Sequence, residues 1–97
     1  MALELEPPKP SFGDDLDLVL AKLRVLLLAK NAAYGDSALA PLRIFSRASP
    51  AEQLLVRIDD KLSRLARGSD AGEDVRTDLL GYLVLLEIET LRRGRET

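Results

Sequence analysis

At 97 residues, 46% apolar and 31% charged, the chain is sized for one globular domain and is too apolar to be disordered. It contains no cysteine and no histidine, which excludes disulfides, thiolate chemistry and imidazole acid–base or zinc chemistry. A net charge of −2 argues against nucleic-acid binding through bulk charge. It leaves Asp, Glu, Lys, Tyr or a hard ion such as Mg²⁺ as the agents of any reaction.

Aromatics make up only 4% of the chain, so the core must come from Leu, Val, Ile and Ala, and no strand-like alternation is present. Residues 1–12 read as a flexible, proline-rich arm, and residues 13–97 as a single all-α domain. The arm lacks the basic-then-apolar order of a signal peptide, and no run approaches the roughly 18 apolar residues of a membrane span. A cytoplasmic protein is therefore expected.

Leu16, Val19, Leu20, Leu23, Leu26 and Leu27 follow the i, i+3, i+4, i+7 template, predicting a first helix capped by Asp14 or Asp15 and ending between Lys30 and Ala33. Leu18, Val25 and Leu28 lie off that stripe, so this helix is expected to be covered on more than one side. Asn31 to Pro41 reads as a loop, with Tyr34-Gly35-Asp36-Ser37 as its turn. A short helical turn over residues 42–47 is expected to plug the core with Leu42, Ile44 and Phe45.

Ser49-Pro50-Ala51-Glu52 is an N-cap, a first-turn proline and a capping-box glutamate in sequence. It predicts a second helix running to Arg67 and stopping at Gly68, with Leu54, Leu55, Ile58, Leu62 and Leu65 as its stripe. A third helix is predicted from Gly72 or Glu73 to about Arg93, with Val75, Leu79, Tyr82, Leu83 and Leu86 facing inward. Leu80, Val84, Leu85 and Ile88 widen that stripe beyond what a three-helix monomer covers. The expected architecture is an antiparallel bundle of three helices plus the short turn, completed as a homodimer or a tetramer of dimers.

Three clusters of residues carry chemical potential. Asp74 and Asp78 are one helical turn apart, a like-charge spacing that a bound cation would relieve. Asp78 also sits at the edge of an apolar stripe, whereas Glu73 and Asp74 serve equally well as complements to a helix N-terminus. The run Arg57 to Leu65 alternates charge around Ile58 and Leu62. It reads either as a solvated face with i, i+4 ion pairs or as a mixed site with Asp60 on metal and Lys61 or Arg64 on phosphate. Lys30-Asn31 and Tyr34 to Ser37 gather charged, amide, aromatic and hydroxyl groups in one loop, suited to a ligand or to a structural plug. A continuous basic patch over Arg43, Arg47, Arg57, Lys61, Arg64 and Arg67 would be needed for nucleic acid, and interleaved acids argue against it.

In that order, Lys30-Asn31, Tyr34-Gly35-Asp36-Ser37, Pro41, Phe45, the Arg57-to-Leu65 run and Asp74 to Tyr82 resemble the nucleotide modification associated domain 1 family, which is common in phages. More broadly the pattern is similar to the all-α nucleotide pyrophosphohydrolases of the MazG and dimeric dUTPase type. The resemblance implies Mg²⁺ or Mn²⁺ held by Asp60, Asp74 and Asp78, with Asp59 as a lesser alternative to Asp60. It also implies a nucleoside triphosphate met by Lys30, Lys61 and Arg64 at phosphate and by Asn31 and Tyr34 at base or sugar. The E-x-x-E pair of those enzymes is represented here by Glu52 alone, followed by Asp59 and Asp60. The expected function is metal-dependent binding or pyrophosphohydrolysis of a nucleoside triphosphate. The alternative is a non-catalytic helical oligomerisation or protein-interaction module.

Overall fold

The computed structural model describes residues 6–41, 44–68 and 74–96. All of the regular structure among them is helical: α1 (Phe12–Tyr34), α2 (Pro50–Arg67) and α3 (Val75–Arg95). No helix among the described residues is long and apolar enough to cross a membrane. The expected all-α class is therefore met.

Local chemistry sets the helix ends. The start of α1 lies earlier than the Asp14 or Asp15 cap expected. Ser11 is the N-cap, its hydroxyl accepting from the Asp14 N–H at 3.1 Å while the Asp14 carboxylate accepts from the Ser11 N–H at 2.9 Å. This reciprocal box satisfies two otherwise unpaired donors and draws Phe12 into the helix. At the other end Asn31 to Tyr34 are helical rather than loop, and Gly35 closes α1 in the left-handed region at φ 61°. Ser49 caps α2 by accepting from the Glu52 N–H, Pro50 opens it, and Gly68 ends it at φ 66°. Asp74 is the N-cap of α3, which therefore begins later than expected and runs past Gly94 to Arg95.

α2 and α3 form the packed part of the fold. Lys61 meets Asp78 and Arg57 meets Tyr82, so the two helices run antiparallel. Their shared core holds Leu54, Ile58 and Val75, with Lys61 and Gly81 buried beside them. Of the expected α2 stripe Leu54 and Ile58 are buried, joined by Lys61, whereas Leu55, Leu62 and Leu65 remain exposed. The reason is Asp78: a facing carboxylate draws Lys61 inward, and the helix turns that face to α3.

α1 packs on α3 toward its own C-terminal end, and none of its residues is buried. The two helices approach closely at Gly81, where an added Cβ would stand 3.3 Å from Leu27 Cδ2. The absent side chain is what lets the two helices come together there. Among the described helices α1 therefore meets α3, while α2 and α3 pack along each other.

The short turn expected over residues 42–47 is not present as helix among its described positions, 44–47. Ile44 is 70% exposed and Phe45 96% exposed, so neither plugs the core. Leu42 lies outside the described residues. Residues 44–48 lead directly into the Ser49 cap, and a segment held by that cap need not bury its own side chains.

The fold makes a stability prediction. Leu54→Ala removes the most buried large side chain and should cost about 2–5 kcal/mol. Phe45→Ala should change stability by less than about 0.5 kcal/mol despite removing a whole ring. Urea unfolding followed by circular dichroism reads both.

Candidate functional site

Asp78 is the residue around which the site is built. Lys30 Nζ of α1 donates to its Oδ1 at 3.2 Å, and Lys61 Nζ of α2 lies 3.3 Å from its Oδ2. The carboxylate edge that looked out of place beside an apolar stripe thus has two ammonium partners. The Lys61 side chain is only 11% exposed and that of Asp78 22%. An ammonium so enclosed needs a paired carboxylate, because burying a charge without one is costly.

The turn after α1 completes one wall. The Asp36 carboxylate accepts from Arg92 Nη1 at 2.9 Å, and the Asp36 carbonyl accepts from the Leu39 and Ala40 N–H groups. Asp36 itself takes φ 62°, following Gly35 at φ 61°. Two successive left-handed residues turn the chain back on itself, and the Arg92 bridge fastens the turn to α3. Ser37 and Ala38 are thereby set opposite Tyr82 and Leu85.

A cavity of about 390 Å³ lies between these walls, lined by Leu27, Lys30, Asn31, Tyr34, Ser37, Ala38, Arg57, Tyr82 and Leu85. A second groove adjoins it and shares Arg57 and Tyr82, continuing along Gln53, Asp60, Lys61 and Arg64. The Arg57 guanidinium lies 6.0 Å from the Tyr82 ring centroid, within cation–π range. Of the expected ligand contacts, the structure brings Lys30, Asn31 and Tyr34 together in the cavity, and Lys61 and Arg64 in the groove beside it. Arg57 and Tyr82 were not among the expected contacts. Their signals were spacings: Tyr82 is one turn beyond Asp78, and Arg57 one turn before Lys61.

The expected metal ligands are not gathered in the same way. Among the described residues no group of three Asp or Glu side chains is placed to hold a metal ion. Asp74 is occupied as the cap of α3, accepting from the Thr77 N–H at 3.0 Å and from the Thr77 hydroxyl. Asp60 is half exposed and pairs with Arg64 at 3.3 Å, one turn along α2, as the solvated-face alternative anticipates. Asp78 is shared by its two lysines. Glu73 lies outside the described residues. Asp60, Asp74 and Asp78, each engaged by a different neighbour, do not fit the role of a divalent-cation site.

No protein-family model, no curated protein and no solved structure matches the chain.

The cap assigned to Asp74 has a pH signature. The Thr77 hydroxyl first and the Thr77 N–H second hold its carboxyl below the usual 3.8, and the Ser11 N–H and hydroxyl do the same for Asp14. A depressed folded-state value means the stabilisation is complete above the unfolded value, about 3.9, and is lost as pH falls through the lower folded one. Unfolding midpoints should thus be level near neutrality and fall below about pH 4. Asp74→Asn keeps a capping oxygen but cannot titrate, so it should flatten part of that fall. The ion pairs differ in a second way. Asp78→Ala takes the carboxylate partner from an enclosed lysine and should cost about 1–3 kcal/mol. Asp60→Ala, which breaks an exposed i, i+4 pair, should cost less than about 0.5 kcal/mol.

Proposed function

We propose that the chain binds a nucleotide in the cavity between α1 and α3, with its phosphates directed along the adjoining groove on α2. One observation carries this reading. A cavity that holds two tyrosines and an asparagine opens, through Arg57, onto a groove that holds Lys61 and Arg64. Tyr34 and Tyr82 offer ring faces, on which any base can stack irrespective of its hydrogen-bonding edge. Asn31 offers both a donor and an acceptor for a base or sugar. Lys30, Arg57, Lys61 and Arg64 supply four cations along one path, and arginine's planar fork suits phosphate oxygens. Glu52 and Asp60 on the groove, together with the Asp78 carboxylate that pairs with both lysines, still leave the path net positive. That local sign is opposite to the chain's overall charge of −2.

The resemblance to nucleotide pyrophosphohydrolases points to the same ligand class. Hydrolysis in those enzymes runs through a carboxylate-bound metal, which the described residues do not assemble. Binding is accordingly the reading supported here, and a divalent ion enters it as a companion of the phosphates.

Melting temperature measured with a panel of nucleoside mono-, di- and triphosphates tests the reading, each with and without Mg²⁺ or Mn²⁺. A ligand at one hundred times its dissociation constant stabilises the folded state by about 2.7 kcal/mol. For a domain of this size that is a rise on the order of 10 °C. Arg57→Gln should abolish most of the rise while leaving the unliganded melting temperature within a degree or two, because Arg57 is exposed. An absence of any shift across the panel would remove the nucleotide from consideration.

A further inference from the structure

We infer that α1 pairs in antiparallel fashion with α1 of a second copy of the chain, centred between Val19 and Leu20. Phe12, Leu16, Val19, Leu20, Leu23 and Leu27 share one face of α1. At its C-terminal end this face is seated on α3 through Leu27. At the other end it is exposed among the described residues: Phe12 is 82% exposed, Val19 and Leu20 are each 53% exposed, and Leu16 is 43% exposed.

Charge identifies the occupant and its direction. Asp15 and Lys22 lie two turns apart on one flank of the apolar face, and Asp17 and Arg24 lie two turns apart on the other. All four are exposed, and none pairs with another side chain among the described residues. Each flank is thus acidic toward the N-terminus and basic toward the C-terminus. Two such helices laid antiparallel bring each flank against its own copy in reverse. Asp15 then approaches Lys22 of the second copy, Asp17 approaches Arg24, and Leu16 meets Leu23. Laid parallel, the same helices set aspartate against aspartate and cation against cation, which is unfavourable. The face is therefore complementary to itself in one direction only, as a two-fold interface requires.

Sedimentation equilibrium of the full chain at micromolar concentration should give twice the 10.7 kDa chain mass. A monomer at that concentration overturns the inference. The double substitution Asp15→Lys with Asp17→Lys should weaken the dimer by at least about tenfold. Adding Lys22→Asp and Arg24→Asp to the same chain should restore it. Unchanged association across that series overturns the charge assignment. Direction is read by oxidation, since the chain has no cysteine of its own. A mixture of Leu16→Cys and Leu23→Cys proteins should form the mixed disulfide, whereas a disulfide between two L16C chains overturns the antiparallel arrangement. Asp15, Asp17, Lys22 and Arg24 are exposed, so circular dichroism should report unchanged helix content in the charge variants.

Discussion

The Asp78 carboxylate is where the three helices meet. It belongs to α3, and it holds Lys30 of α1 through one oxygen and Lys61 of α2 through the other. The core alone is too small to do this, because Leu54, Ile58 and Val75 are the buried apolar side chains among the described residues. Charged groups at such a junction define geometry more strictly than leucines would, since an enclosed ammonium displaced from its partner is left unsatisfied. The same carboxylate accounts for the register of α2 against α3, for the inward turn of Lys61, and for the place where α1 comes to rest. The cavity beside it is the space left by those three decisions.

Fastening of this sort has an effect on the ligand-binding reading. Lys30 and Lys61 reach the cavity and groove from opposite walls, and both are already engaged by Asp78. An arriving phosphate therefore competes with, or extends, an existing charge network. Arg57 is the more available cation in kind: a guanidinium has five donors, so it can keep its contact to Tyr82 and still offer an edge to phosphate.

Much of the fold was legible in the sequence where a single residue type has a single use. Ser49-Pro50 opened α2, Gly68 closed it, and the apolar periodicity placed all three helices. What sequence could not resolve were choices settled by a partner distant along the chain. Ser11 rather than Asp14 capped α1, because a box needs both members and the pattern allows two registers. Phe45 is an aromatic of the kind that usually plugs a core, yet it stays in solvent. Lys61 lies beneath α3 while Leu62 faces outward, and only the position of Asp78 dictates that. The site followed the same division. Lys30, Asn31 and Tyr34 were close in sequence and remained together in space. Asp74 and Asp78 were linked by their spacing and Asp60 was joined to them by the resemblance, and each was taken by a nearer neighbour: Thr77 for Asp74, the two lysines for Asp78 and Arg64 for Asp60.

Gly81 adds a constraint of another kind. By lacking a side chain it lets Leu27 approach α3 closely, and it lies one residue before Tyr82 and one helical turn before Leu85, both on the cavity wall. It therefore works as a fulcrum. The volume at this one position sets how far α1 stands from α3, and so the aperture between Tyr34 and Tyr82. A lineage could tune the girth of what enters without altering any residue that touches it, by changing the size of the residue at the pivot.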